Sequence, residues 1–241
     1  MFWFRESHRC PLCGSRKFKD YRGRTNAACA GCGAKERHRL LGLVLPKILP
    51  EKLEAPLVHM APELGIARLL WERYGDLYRP VDFSPEGYAK LPVPAQKFDL
   101  VRPLEYFAES SVDVVLHSHV AEHIFAPVGS FMRELNKVIR PGGLHIFQVP
   151  IRQGLYDEDL DPSLTAQGRE TRFGQYDHVR WFGDQDLQQH LLDHFVDFDR
   201  VGLDGLVRKD ELTRAGLRSD ILTRFTSDTV FIFRKQASAR T

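Results

Sequence analysis

The sequence has 241 residues, 43% of them hydrophobic and 27% charged, and a formal net charge of +2 at pH 7. That is enough chain to bury one ordinary α/β core with a small appendage. No apolar run is long enough to span a bilayer, and the opening MFWFRESHRC lacks the charged, apolar, small-residue order of a secretory signal, so a cytoplasmic protein with no membrane partner is expected.

The charge is unevenly placed. Residues 1–50 carry eleven Arg and Lys against three acidic residues, which leaves a cationic head and a mildly anionic remainder. All four cysteines lie in this head, as Cys10-Pro-Leu-Cys13-Gly14 and Cys29-Ala-Gly-Cys32-Gly33. In a reducing cytosol this is not a disulfide pattern. Each knuckle turns tightly enough to aim two thiolates at one ion, so residues 1–36 are read as a zinc ribbon with Cys10, Cys13, Cys29 and Cys32 as tetrahedral ligands, against the alternative of four free thiols. Four thiolates close the shell, which makes the zinc structural and leaves His8 and His38 as exposed histidines. The basic residues, with Phe18 and Tyr21 interleaved, either grip nucleic-acid phosphate and stack on bases or form a solvated face on a module that packs on the next domain. The second reading is favoured.

Residues 37–55 are a connecting helix, with Leu40, Leu41, Leu43 and Val44 inward, that Pro46 and Pro50 end and Pro56 follows. From 56 to 235 one α/β domain is expected. LVHMAPELGIARLL, residues 57–70, reads as strand, turn and helix. Leu77 to Pro85 is a short strand with Asp82 at its tip, an acid suited to ribose hydroxyls or to a turn before Ser-Pro. Val112 to Leu116 is a buried strand, and the helix after it carries Phe131, Leu135, Val138 and Ile139 up to a Pro-Gly-Gly stop. A further strand runs from Leu144 to Val149. Two parallel strands joined by a right-handed crossover are half of a doubly wound sheet, and such sheets bind ligands at the carboxyl ends of their strands, here His117 to His123 and Gln148 to Arg152. His117, His119 and His123 suit a metal only if the last two share a helix face, so they are read as a cofactor and substrate wall. Residues 151–183 are a long irregular segment, read as a functional lid. A helix from Asp184 to His194, a strand from Phe195 to Val201, a charged segment from Arg208 to Arg218, a strand from Thr229 to Lys235 and a loose tail at 236–241 complete the chain.

HSHVAEHI, the helix with REL and KVIRPGG, and the strand after it together resemble the fourth-strand, helix and fifth-strand unit of the class I S-adenosylmethionine-dependent methyltransferases, in which VLEH often stands at Val120 to His123. The glycine-rich first loop of that family is replaced by His59-Met60-Ala61-Pro62-Glu63, with only Gly65 beyond it. This string and Gly174-Gln175-Tyr176-Asp177-His178-Val179-Arg180-Trp181-Phe182-Gly183 are similar to the LH-x-APE and GQ-x-DHVR-x-[YF]G strings of a subgroup with an N-terminal zinc ribbon.

The resemblance implies a seven-stranded Rossmann-like sheet with an antiparallel seventh strand, and S-adenosylmethionine as cofactor. Met60, Ala61, Pro62 and Glu63 would border its methionine part, with Glu63 either taking its amino group or serving as a first-turn acid of the helix. Asp82 and Phe83 would meet the ribose, and Asp99 and Leu100 the adenine, Asp99 being otherwise a surface acid. His117, Ser118, His119 and His123 would form the remaining wall. His119 and His178 are the candidate bases, the first being otherwise a packed histidine bonded to a carbonyl. Tyr176, Asp177, His178 and Arg180 either face the acceptor or only order the lid through an internal network. The expected acceptor is an N or O of a small, sugar-like molecule. RNA held by the ribbon is the alternative, and a non-catalytic binding module is a third reading.

Overall fold

In a computed structural model, which describes residues 8–237, the head is a hairpin on two cysteine turns. β1 (Phe18–Tyr21) pairs antiparallel with β2 (Arg24–Cys29). α1 (Glu36–Ile48) follows, burying Leu40, Leu41, Val44 and Leu45. Leu43 is only half-buried. Pro46 lies inside the last turn and does not end the helix, because a proline so near the C-terminus forfeits a single N–H bond.

The main domain then runs β3 (Leu57–Met60), α2 (Leu64–Tyr74), β4 (Tyr78–Asp82), β5 (Gln96–Lys97), β6 (Val112–Ser118), α3 (Val128–Val138) and β7 (Ile139–Gln148). After it come β8 (Ile151–Arg152), β9 (Asp157–Glu158), α4 (Ala166–Phe173), β10 (Arg180–Gly183), α5 (Leu187–His190), β11 (Phe198–Arg200), α6 (Lys209–Arg214) and β12 (Phe231–Lys235). The seven-stranded sheet has the order β11-β12-β7-β6-β3-β4-β5. β5, β4, β3, β6 and β7 are mutually parallel, and β12 is antiparallel to both of its neighbours.

Both faces of the sheet are covered, so β6 is buried throughout, with apolar residues at Val112 and from Val114 to Leu116. Val112 and Val115 pack with Phe131, Leu135, Phe147 and Phe231 on the α3 side. Val114 and Leu116 pack with Leu41, Leu45, Ile66 and Leu70 on the α1 and α2 side. Burying one such side chain stabilises the fold by about 1.5–3 kcal/mol.

Several local expectations need correction. The Pro-Gly-Gly segment is no break between helix and strand: β7 begins at Ile139 and absorbs Pro141 to Gly143 as an irregularity opposite Val112 to Val114. A Cβ on Gly143 would meet the Asp113 carbonyl oxygen at 2.8 Å, which is why only glycine fits there. Residues 151–183 are not irregular. They fold as a three-stranded sheet in the order β8-β10-β9 with α4 packed beside it. The helix expected from Asp184 to His194 breaks after His190 into a tight turn. Gln236 is tied by its N–H to the Asp197 carbonyl at 2.9 Å, and the expected tail from 238 onward lies outside the described residues. No described helix is long and apolar enough to cross a membrane.

Candidate active site

A cavity of about 720 Å³ opens at the carboxyl ends of β3, β4, β5 and β6, within the range of small-molecule sites. Its floor is Met60 and Ala61. Ala61 takes φ +46, where the chain turns sharply out of β3, and its N–H donates to the Val81 carbonyl at 3.0 Å. A non-glycine residue in this region costs on the order of 1 kcal/mol, held here by the surrounding sheet.

Asp82 ends β4 and faces the same cavity. Its Oδ1 accepts the Ser84 N–H at 2.7 Å and its Oδ2 accepts the Tyr88 hydroxyl at 2.8 Å. Burial, reinforced by this carboxylate, pushes the Tyr88 phenol well above its ordinary range and keeps it a donor. Each Asp82 oxygen retains a lone pair, so the turn role and a ligand role are compatible. Phe83 is exposed at 62% at the cavity edge, with the Lys97 ammonium 3.6 Å from its ring centre. Asp99 lines the cavity beside Leu100, and it holds its own loop through the Val101 N–H at 3.0 Å and the Arg102 guanidinium at 3.2 Å.

Several expected ligand residues turn away. His117 and Ser118 are still paired within the sheet, opposite Phe147 and Gln148. His145 donates Nδ1–H to Asn136 Oδ1 at 2.7 Å, so its Nε2 accepts from His117 Nε2–H at 3.1 Å. Burial takes His117 down to about 4. It is a neutral core residue stacked on Phe147, and it does not reach the cavity. Ser118 donates to Gln148 Oε1 at 3.0 Å, while the Gln148 amide donates to the Asp228 carbonyl at 2.8 Å. Gln148 is thereby occupied within the fold and does not line the cavity.

Pro62 does not line the cavity either, and Glu63 points under the sheet. Its oxygens lie 3.1 Å from His59 Nε2 and 3.2 Å from His38 Nε2, so it ties α1 to β3 and is not free to take an amino group. His38, expected to be exposed, is buried, and burial lowers it to about 4.

His119, with φ +55, is the first residue of this strand end to leave the sheet, and it lines the cavity. Its Nε2 lies 2.9 Å from the Ser227 carbonyl oxygen and its Nδ1 3.3 Å from Glu122 Oε1. Both nitrogens face protein oxygens, so the ring is held in position from two sides. His123 and Asp177 line the cavity and pair at 3.2 Å, while His178 lies behind them, 2% exposed. Tyr176, in the 151–183 segment, is 65% exposed.

Arg180 is completely buried and does not face the acceptor space. It donates to the carbonyls of Ala121, Ile124 (2.7 Å) and Ala126 (2.6 Å) and to Glu158 Oε1 at 2.8 Å, and so clamps the turn that carries His119 to Ile124. Sequence reasoning did not find Tyr88 or the depth of Glu122. The only local sign of the former was the Ser-Pro turn that brings it back over Asp82.

In the head, the Sγ atoms of Cys10 and Cys32 are 3.7 Å apart and those of Cys13 and Cys29 3.5 Å, with all four mutually within 4.8 Å. Sulfurs about 2.3 Å from one tetrahedral ion lie about 3.8 Å apart, so the set fits a closed metal site. The head is seated on the main domain: Arg39, fully buried, donates to the carbonyls of Ala27 at 2.9 Å and Gly216 at 3.2 Å. Phe18 lies under the Arg39 guanidinium and Tyr21 under the Lys35 ammonium, so one face of each ring is engaged within the head.

A family model described as a methyltransferase domain matches residues 64–147, from α2 through most of β7. Among solved structures, an S-adenosylmethionine-dependent methyltransferase from Mesorhizobium loti is similar with a TM-score of 0.53 and 14% identity, over 81% of this chain and 97% of its own. One from Archaeoglobus fulgidus gives 0.50 and 14%, over 79% and 91%. A phosphoethanolamine N-methyltransferase from Haemonchus contortus, solved with S-adenosylhomocysteine, gives 0.50 and 14%, over 81% of this chain and 52% of its own. No curated protein matches the chain. The fold is that of these solved S-adenosylmethionine-dependent methyltransferases, and residues 64–147 match the methyltransferase-domain model.

Proposed function

We propose that the chain transfers a methyl group from S-adenosylmethionine to an oxygen or nitrogen of a small, hydroxyl-rich acceptor such as a sugar. The observation that carries the cofactor reading is Asp82: a carboxylate at the tip of β4, beside the Ala61 turn and the Asp99 loop, all three in one cavity. A carboxylate in that position accepts both hydroxyls of a ribose. Leu100 and Phe83 offer apolar surface for a purine, and Met60 and Ala61 leave room for the remainder.

The sulfonium supplies an already activated methyl group, so the chain's own task is alignment and exclusion of water. Val120, Ile124 and Phe125 give the far wall its apolar character. His123 and Asp177 are the polar groups on that wall nearest the lid, and they would hold the acceptor. The cysteine set in the head takes a structural zinc that fastens the ribbon, which in turn caps α1 and α2. The ribbon's docked aromatic rings favour this structural role over RNA binding.

The reading is tested by incubating the protein with methyl-labelled S-adenosylmethionine and parallel panels of sugars, small amines and structured RNA. Label in a sugar or amine supports it. Label confined to RNA, or none above a protein-free control with any panel, contradicts it.

A further inference from the structure

We infer that Glu122, His123 and His178 form a second metal site, at the wall of the cavity, for a divalent first-row transition ion. Each of the three places a ligand atom within 4.8 Å of the others. Glu122 is 1% exposed and His178 2%; neither ring nitrogen of His178 has a hydrogen-bond partner, and the Glu122 carboxylate has only the imidazoles of His119 and His123 beside it, without a well-formed hydrogen bond to either. Buried polar groups are nearly always paired, and a buried carboxylate beside a buried imidazole that bonds through neither nitrogen needs a partner, which one ligand atom from each can share. A cation supplies it.

The surroundings are those of a ligand set. Asp177 Oδ2 lies 3.2 Å from His123 Nδ1, which fixes that ring and leaves Nε2, 4.0 Å from Glu122 Oε1, as the coordinating atom. A carboxylate behind a ligating histidine is the usual outer support of a metal site. The His123 and His178 rings meet edge to face with centroids 4.6 Å apart, close enough for one nitrogen of each to share an ion with Glu122. His119 Nδ1, 3.3 Å from Glu122 Oε1, steadies the carboxylate from the other side. Two imidazoles and one carboxylate suit zinc, iron or cobalt better than magnesium or calcium, and three protein ligands leave coordination positions open.

Two consequences follow from position. Glu122 and His123 belong to the turn after β6, and His178 to the insertion, so the ion would fasten the lid to the sheet. Of the three ligands His123 also lines the cavity, so the ion would sit at the cavity wall, where an open position on that side would take an oxygen atom of a hydroxyl-bearing acceptor. The acceptor role rests on the proposed methyl transfer, whereas the metal site does not.

The test uses the full chain, its ribbon filled with zinc, titrated with Co2+ and followed by visible absorption and by elemental analysis after gel filtration. The expected result is one cobalt per chain beyond the ribbon's ion, with a spectrum free of thiolate charge transfer. Glu122→Gln and His178→Asn should each lose that equivalent while Cys13→Ser keeps it. No second equivalent in the unsubstituted protein overturns the inference, as does a second equivalent that both substitutions leave intact. Because the first arm needs no variant, misfolding of either leaves the result decisive. S-adenosylhomocysteine binding is measured alongside. Binding without a second metal overturns this site alone, and a second metal without binding overturns the methyl-transfer reading alone.

Discussion

Replacing Arg180 should damage the cavity without removing any group that lines it. The side chain is fully buried and spends its donors on Glu158 and on the carbonyls of Ala121, Ile124 and Ala126. Arg180→Met takes the charged partner from Glu158, which is 23% exposed and keeps the Tyr156 hydroxyl at 2.6 Å, a loss of about 2–3 kcal/mol. It also strands three carbonyls, at about 1 kcal/mol each. Partial rehydration offsets some of this, so the expected loss is about 4–6 kcal/mol, a large fraction of the 5–15 kcal/mol typical of a whole domain. Arg180→Lys is therefore the more readable change. An ammonium reaches one or two of the four oxygens and lacks the planar fork, which predicts a loss of about 2–3 kcal/mol. Urea unfolding followed by tryptophan fluorescence gives the stability, and calorimetry gives S-adenosylhomocysteine affinity, expected to fall about tenfold as the His119–Ile124 turn loosens. A lysine variant with unchanged midpoint and unchanged affinity would refute the clamp and return Arg180 to the acceptor side.

Acid should destabilise the fold through its buried histidines. His117 and His38 are held near 4 by burial, against about 6.5 in the unfolded chain, so the folded state resists protons that the unfolded state accepts. Their contribution is complete above about pH 6.5 and is lost as pH falls toward 4, amounting to about 2 kcal/mol for each by pH 5. Imidazole nitrogen spectra check the assignment, since His117 must remain the neutral Nε2–H form at about pH 5. A normal titration there would contradict it. Gly143→Ala must push backbone away from the Asp113 carbonyl, with an expected loss of about 1–3 kcal/mol by urea unfolding, and a neutral change would show that the β7 irregularity is soft. Cys13→Ser should release the ribbon's zinc and expose α1 and α2 to proteolysis, whereas unchanged zinc content would remove that cysteine from the ligand set.

The central sheet was legible because the largely apolar runs Val112 to Leu116 and Leu144 to Val149 flank an amphipathic helix, a pattern that admits few folds. The acidic tip of β4 and the Ala61 turn were legible for the same reason, since each sits where a parallel strand must end. What local sequence does not carry is register. His117 and Ser118 look like a strand tip, yet they are still paired with β7, and the chain leaves the sheet one residue later at His119. Strands of two residues, as in β8 and β9, are too short to show a period, so the insertion read as irregular. Arg180 and Glu122 are charged residues that burial has turned inward, and only their partners from distant segments reveal it. The cluster of Glu122, His123 and His178 escaped notice because one of its members lies across the fold, in the insertion.

The most direct test of the central claim is calorimetric titration of the purified chain with S-adenosylhomocysteine, repeated on Asp82→Ala. The account predicts one site per chain with micromolar affinity, and a weakening of about 1.5–3 kcal/mol when the charged acceptor of the ribose hydroxyls is removed. Absence of binding, or equal affinity in the two proteins, would contradict the placement of the cofactor in this cavity.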